Sequence, residues 1–415
     1  MYDVIIIGGG ASGLMAAYAS ALHGAKTLVI EKMPRPARKL MITGKGRCNI
    51  TNTAPLSEFL KHIGSDGKFL RNAFSEFFSD ELIELLNQNG LKTVIERGGR
   101  VFPMSNKAVD VVDTLISLAK KFKVEIITDE SVQYFAVENN LIKSVKLRSG
   151  KTISGKTFVL ATGGKSYAAT GSSGDGYFLS KSVGHNIIEP VQALVPLETK
   201  GNAAKNMQGL SLKNVNVSTW VNDKKIVSDF GEMMFTHFGI TGPVILSLSR
   251  IINRNILNRD KVQISIDLKP ALDDNVLDQR LIRDLNEHGK MSFKSFLRQY
   301  LPSSMIIVFC ELLNINSEKL SSQINAEERK KIRLLLKNFC LEVIGIRPFA
   351  EAIITAGGVD IKEIDPKTMQ SKIIENLFFS GELINLDADT GGYNLQIAFS
   401  TGRLAGISAS RKSKS

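Results

Sequence analysis

Three glycines and one carboxylate near the amino terminus carry the clearest chemistry in the chain. Gly8, Gly10 and Gly13 form GxGxxG within "IIIGGGASGLM", and Glu31 ends the next apolar run. This spacing suits a dinucleotide. Gly8 permits a tight turn out of a strand, Gly10 lets the backbone approach a pyrophosphate with no Cβ in the way, and Gly13 lets a helix pack on the strand. A carboxylate at Glu31 can accept hydrogen bonds from both ribose hydroxyls of an adenosine and disfavours a 2′-phosphate. The helix after the turn points its partially positive amino end at the phosphates. Ala11, Ser12 and Lys32 flank these positions. The fingerprint does not by itself separate FAD from NAD. Further glycine motifs far downstream point to one long ligand gripped from several segments, as FAD is.

A second group of reactive side chains lies in "RKLMITGKGRCNITNT", residues 38–53, a basic loop punctuated by glycine. Its Arg38, Lys39, Lys45 and Arg47 are placed to meet phosphates or an anionic substrate. Hydride chemistry on a bound dinucleotide also calls for an acid or base to move the accompanying proton and for groups that anchor the substrate. Three side chains are candidates for that acid or for substrate anchoring: His237 in "FTHFGITGP", Arg347 before Pro348, and Tyr393. Each has a plainer reading. His237 can bond its own loop, Arg347 can sit in an ion pair at a domain interface, and Tyr393 can pack. His185 reads as a helix-end residue, and Asp175 as a cap for a helix starting at Gly176, with a contact on the flavin side as the alternative. Cys48, Cys310 and Cys340 form no CxxC pair and no metal-ligand spacing, so neither a disulfide framework nor a metal site is expected.

These residues need a doubly wound frame. Residues 2–7 read as a buried parallel strand, 11–23 as a helix and "AKTLVI" as a second strand. Helices are expected over 67–88 and 106–121, with a hairpin in "KTVIERGGRVFP" turning at Gly98-Gly99. The stretch from "VEIITDE" to "FVLATGG" alternates with period two and reads as a meander leading into a buried strand over 157–161. From about residue 191 the texture changes to strand-like pieces and then to helical periodicity over 274–341. Buried-strand texture returns at "AIITAGGVDI" and "NLFFSGEL", and a closing helix starts near Gly392. The expected class is α/β. The expected division is a first dinucleotide-binding part over 1–190, an insert over 191–349 (strands to about 270, helices over 271–341), and a second part over 350–415.

The 415 residues are 43% hydrophobic with a formal net charge of +12. No apolar run approaches the roughly 18–20 residues of a membrane span. The first apolar run is too short for a signal peptide and lacks a basic leader, so a soluble cytoplasmic protein is expected. The charge suits either a nucleic-acid surface or attraction of anionic small ligands. Many cations fall between Arg283 and Lys337, as in "ERKKIRLLLKNF", and the tail "RKSKS" adds more. Charge clusters on helices usually form solvated faces, so a small molecule is expected as partner rather than nucleic acid. If RNA is bound, the insert helices are the expected contact surface.

The segments "ATGG", "GSSGDGY", "FTHFGITGP" and "GGYNLQIAFSTG" carry a resemblance. In them, and along essentially its whole length, the chain resembles the HI0933-like flavoproteins, also called the BaiN or YhiN family. The resemblance implies noncovalently bound FAD, a Rossmann-like FAD-binding domain of the GR2 type in two parts, and an inserted domain with β-barrel-like and helical portions. It also implies an FAD-dependent oxidoreductase. The leading reading is NAD(P)H-linked reduction of an enone-type, bile-acid-like C=C bond, with NAD(P)H as a transient donor. The alternatives are an amine or amino-acid oxidase using oxygen, and an RNA-interacting flavoprotein. Carried across residue by residue, it marks Gly8 to Gly13 and Glu31. Arg38, Lys39, Arg47, Cys48 and Asn49 follow in the basic loop, then Val132, and Ala161, Thr162, Gly163 and Gly164 in a second turn. Gly381, Glu382, Gly391, Gly392, Tyr393, Asn394 and Gln396 complete the carboxy-terminal segment. Ala37 and Lys45 stand where the family commonly has glycine; Asn385 and Asp389 replace a frequent aspartate and arginine. A fainter similarity to fumarate reductase flavoproteins, which often attach FAD through a histidine in this region, finds no histidine over residues 40–50, which favours noncovalent binding.

Overall fold

A computed structural model describes residues 1–415, apart from the side chain of Ser65. It comprises two compact units, Met1–Gln192 with Phe349–Ser415, and Ala193–Pro348.

In the first unit the β-branched run Tyr2–Ile7 is a central strand of a seven-stranded sheet. It pairs in parallel with Thr27–Ile30 on one side and Thr152–Leu160 on the other. Leu377–Phe379 adds a further parallel strand against the end of Thr152–Leu160. Val4, Ile5 and Ile6 are fully buried, as expected for a strand covered on both faces. The helix Ala11–Leu22 is buried along almost its whole length, because a second helix lies against it. That partner is the carboxy-terminal helix Tyr393–Lys414. A Cβ at Gly402 would collide with the carbonyl of Ser12, and one at Gly406 with the carbonyl of Ala16. Contact positions rise together along the two helices, so they run parallel and their amino ends point the same way.

Two expectations for this unit need correction. The helix over 67–88 is broken into a 3₁₀ turn Ser65–Leu70 and helices Arg71–Glu76 and Ser79–Gln88. The break is tertiary: Phe77 is extended, and its carbonyl accepts the Ser400 hydroxyl at 2.6 Å instead of continuing a helix. The first piece of the expected meander, Glu125–Ile127, leaves it and pairs in parallel with Thr27–Ile30. Only Val132–Glu138, Leu141–Leu147 and Thr152–Leu160 run antiparallel in succession.

The second unit is a closed six-stranded barrel with a helical excursion. In spatial order its strands are Leu197–Thr199, Gly239–Thr241, Lys224–Phe235, Ser211–Val221, Val262–Asp267 and Phe339–Ile346. The helices Asp274–Glu287, Phe293–Leu297, Ser303–Leu313 and Ala326–Lys337 intervene before the last strand. Strand structure therefore resumes at Phe339, inside the stretch read as helical. Phe339, Leu341 and Val343 face the core while Cys340 and Glu342 face out, which is period two. Phe309 of the helices stacks on Phe339 of the barrel at 5.7 Å, so one core serves both parts.

Candidate functional site

The three glycines do three different jobs. Gly8 has φ +100°, and a Cβ there would come within 2.6 Å of the Ala161 carbonyl oxygen. A Cβ at Gly13 would collide with the carbonyl of Gly8, so this glycine sets helix-to-strand packing. Gly10 has ordinary backbone angles and nothing within 4 Å of a built Cβ. Its missing side chain leaves open space, where a ligand's approach requires it. Gly10 is also the amino cap of Ala11–Leu22, which has no side-chain cap, so the first N–H groups stay available to an anion.

Glu31 is buried and joined to this turn. Its Oε2 accepts from the Gly9 N–H at 2.7 Å and its Oε1 from the Met33 N–H at 2.8 Å. A carboxylate has about four lone-pair positions, so two remain for hydroxyl donors. Lys32 pairs with Asp175 at 2.7 Å. Asp175 does not cap its helix: Asp175–Ser182 starts from Gly174 with no side-chain cap, and the Asp175 carboxylate goes to Lys32 and Ser173. Burial pushes the Asp175 carboxyl upward, but hydrogen bonds from Lys32 and Ser173 win and hold it below the usual range.

The basic loop has two cations in ion pairs, Lys39 and Arg47, and two without one among the described residues, Arg38 and the exposed Lys45. Arg38 is half-buried at the start of Arg38–Ile42 and makes no ion pair with any described residue. Lys39 reaches Glu382 Oε2 at 2.7 Å and the Ser166 hydroxyl at 2.5 Å. Arg47 is held by Glu96 and Asn106 and lies over the Phe102 ring. The buried Cys48 thiol is pushed up to about 12, chiefly by burial, which makes it an inert packing group at neutral pH.

Several buried polar atoms lack a protein partner: Asn49 Oδ1, Glu130 Oε2, Thr162 Oγ1, Tyr177 hydroxyl and Ser380 Oγ. Thr162 and Ser380 sit just beyond the carboxyl ends of Thr152–Leu160 and Leu377–Phe379, and Glu130 N–H bonds the Glu31 carbonyl. Unsatisfied buried polar groups are rare and call for an explanation. A long polar ligand across the carboxyl edge of the sheet provides one. Val132 is buried at the start of its strand. Gly163 has φ +73°, and a Cβ at Gly164 would collide with Thr355.

At the carboxy-terminal side, Gly381 presses on Ser12: a Cβ would meet its hydroxyl at 2.5 Å. Gly391 and Gly392 have φ +133° and +100°, and the helix Tyr393–Lys414 begins there without a side-chain cap. Asn394 and Gln396 are engaged by the protein itself. Asn394 bonds the backbone of Ala388 and Asp389, and Gln396 bonds Thr51 and Ser400. Tyr393 is stacked on His62 at 4.2 Å and meets Phe59 edge-on. Burial, with Asp389 nearby, raises the Tyr393 hydroxyl above its usual value.

His62 was not singled out by sequence. Its Nδ1 lies 2.9 Å from Asp389 Oδ2, and the Asp389 N–H donates to the His62 carbonyl. The hint was Asp389, an acid where the family resemblance favours arginine. In the second unit His237 is exposed and does not brace its own loop; Thr236 and Gly239 do that. Its neighbour Phe238 carries the Arg347 guanidinium at 4.5 Å, and Arg347 pairs with Glu198 at 2.8 Å, inside this unit. His237 and Arg347 thus share one locality, while Tyr393 belongs to the other unit. His185 is fully buried between Glu363 and Ser371, a structural role. Among the described residues no group of three or more His, Cys, Asp and Glu could hold a metal ion. Among the described residues no helix is long and apolar enough to cross a membrane.

The HI0933-like protein Rossmann domain family matches residues 2–408. The chain belongs to this family. It is an FAD-dependent oxidoreductase. It is 30% identical to a 3-dehydro-bile acid delta(4,6)-reductase of Clostridium scindens, over 99% of this chain and 100% of that one. It is 27% identical to a ribosomal RNA dihydrouridine synthase of Escherichia coli, over 96% of each chain. Among solved structures, a 3-ketosteroid delta1-dehydrogenase from Sterolibacterium denitrificans superposes with TM-score 0.53 at 13% identity, covering 99% of both chains. A quinol-fumarate reductase superposes with TM-score 0.53 at 16% identity, covering 100% of this chain and 71% of that one. These two likenesses concern the fold.

Proposed function

We propose that this oxidoreductase saturates a C=C bond conjugated to a carbonyl, with NAD(P)H as a transient outside donor. The observation that carries the reading is the chemistry shared by two relatives with different substrates. A 3-dehydro steroid with delta(4,6) unsaturation is a conjugated dienone. Dihydrouridine is uridine whose ring C=C bond, conjugated to a carbonyl, has been saturated. Both changes add a hydride to one carbon and a proton to its neighbour.

Bound FAD supplies the two-electron hydride chemistry. The chain's part is to hold and polarise. The uncapped N–H groups of Ala11 and Ser12 and the unpaired Arg38 would hold the pyrophosphate, and the free lone pairs of Glu31 would accept from the ribose hydroxyls. Asn49, Thr162, Gly163 and Gly164 would contact the same ligand further along. The uncapped amino end of Tyr393–Lys414 behind Gly391 and Gly392 would offer N–H donors to the flavin, as an oxyanion hole does to an alkoxide. For the proton, the first unit offers His62, oriented by Asp389, with Tyr393 as a candidate anchor beside it. On the second unit, taken by itself, the exposed His237 is a candidate acid and Arg347 a candidate anchor.

For the substrate itself, a bile-acid-like enone follows the more similar relative. A uracil ring in RNA is the second reading, favoured by the net charge of +12. Anaerobic titration with NADH and NADPH, followed by acceptors, tests the reaction. Flavin bleaching by one donor and reoxidation by a 3-keto-4,6-diene steroid or by unmodified ribosomal RNA is the expected result. Bleaching by an amine, with rapid reoxidation only by oxygen and release of peroxide, contradicts it.

A further inference from the structure

Most cations of the insert helices are paired with acids of their own unit; Lys330 and Lys331 are exposed and stand outside those pairs. Arg280 and Arg283 pair with Asp284, Arg329 with Asp278, Arg333 with Asp274, Lys337 with Asp267, and Lys319 with Glu328. A cation already neutralised by its own unit releases few counterions on meeting a phosphate.

The first unit holds the opposite arrangement. The loop Thr43–Gly46 and the hairpin Thr93–Glu96 with Arg100–Pro103 come together through Arg47, which lies over Phe102 at 4.2 Å and bonds Asn106. Six cations meet here: Lys45, Arg47, Lys92, Arg97, Arg100 and Lys107. These segments contain one carboxylate, Glu96, which binds Arg47 and lies 4.0 Å from Arg100. Lys45, Lys92, Arg97, Arg100 and Lys107 are exposed. Beside them Ile95 and Met104 are about three-fifths exposed, at 60% and 59%, which offers apolar contact between the charges.

This patch adjoins the candidate flavin site. Asn52 Nδ2 donates to the Gly98 carbonyl at the hairpin tip, 3.0 Å, and to the Gly391 carbonyl at the helix-starting turn, 3.1 Å. One side chain thus connects the basic hairpin to the turn proposed above to face the flavin. Enzymes that act on a base take it out of the stack and hold the flanking backbone by its phosphates.

We propose that this loop-and-hairpin surface, Lys45, Arg97, Arg100 and Lys107 above all, is the docking site for the phosphate backbone of an RNA strand whose base is presented to the flavin. The inference rests on the uracil-in-RNA reading of the substrate and adds where the polymer sits. It moves the contact away from the insert helices, where the sequence placed it.

The test uses the FAD-loaded full chain and a fluorescein-labelled 20-nucleotide oligouridine, read by anisotropy across a potassium chloride series. Each phosphate contact on a single strand contributes about −0.7 to the slope of log K against log salt. The variant Lys45→Gln/Arg97→Gln/Lys107→Gln is expected to bind at least about tenfold more weakly and to lower the slope by about 2. The control Lys330→Gln/Lys331→Gln on the insert is expected to bind like the parent. Equal binding by the patch variant, or loss only in the control, overturns the docking site while leaving the RNA reading intact. Failure of the parent chain to bind oligouridine overturns the RNA reading and the proposal together. Unchanged flavin content in all three proteins shows that a loss is not misfolding.

Discussion

Lys39 Nζ lies 2.7 Å from Glu382 Oε2, across 343 positions of sequence. Glu382 also accepts from the Thr355 N–H at 2.7 Å and the Ser166 hydroxyl at 3.0 Å. One carboxylate therefore gathers the basic loop, the turn after Thr152–Leu160 and the carboxy-terminal segment. Lys39→Met leaves that carboxylate without its cation at a site only about one-fifth exposed, 22% and 21% for the two side chains. The expected cost is about 1–3 kcal/mol, read as a lower urea midpoint, with reduced FAD retention. An unchanged midpoint contradicts this role.

Gly10 and Gly13 separate folding from cofactor binding. Gly13→Ala drives a methyl into the Gly8 carbonyl and is expected to destabilise the chain by at least about 2 kcal/mol. Gly10→Ala puts the same methyl into open space at permitted backbone angles. Its apoprotein should unfold within about 0.5 kcal/mol of the parent, while its FAD dissociation constant rises about tenfold or more. Denaturation of apoprotein and fluorescence titration with FAD check the two halves.

Ala37 and Lys45, where the family resemblance favours glycine, both have φ +57°. The backbone keeps the left-handed turn although each side chain disfavours it. Lys45 is exposed, so little packing offsets the strain. Lys45→Gly is expected to raise stability by about 0.5–1 kcal/mol, measured by thermal and urea unfolding.

His185 gives a pH dependence with a definite sign. Burial lowers its affinity for a proton, and the opposing pull of Glu363 does not restore it. The unfolded chain takes up a proton near pH 6.5 that the folded chain resists, so stability falls as pH drops below about 6.5 and is unaffected by this group above it. His185→Gln should flatten that slope between pH 7 and 5 in urea titrations. A slope identical to the parent's would assign the acid sensitivity elsewhere.

The strands and the glycine turn were legible because local pattern and tertiary role coincide there: Tyr2–Ile7 is apolar and β-branched, and it is buried on both faces. The break at Phe77 was not, because the helical pattern of 67–88 is overridden by a hydroxyl 323 positions away, Ser400, that claims the Phe77 carbonyl. The last barrel strand, Phe339–Ile346, was read into the preceding helices because it follows Ala326–Lys337 with a single intervening residue, Asn338. His62 escaped notice because nothing near it in sequence marks it; only folding brings Asp389 and Tyr393 to its ring. The charge on the insert helices misled for the same reason, since sequence shows the cations but not which acids they meet.

The amino-terminal glycine turn and the carboxy-terminal segment of the same unit are expected to grip one FAD noncovalently. The most direct test of this grip is the visible spectrum of the purified chain after reconstitution with FAD and gel filtration, followed by acid denaturation. One flavin per 45.5-kDa chain, released intact into the supernatant on denaturation, is the predicted result. A colourless protein that takes up no FAD, or a flavin that stays with the precipitated chain, would contradict it.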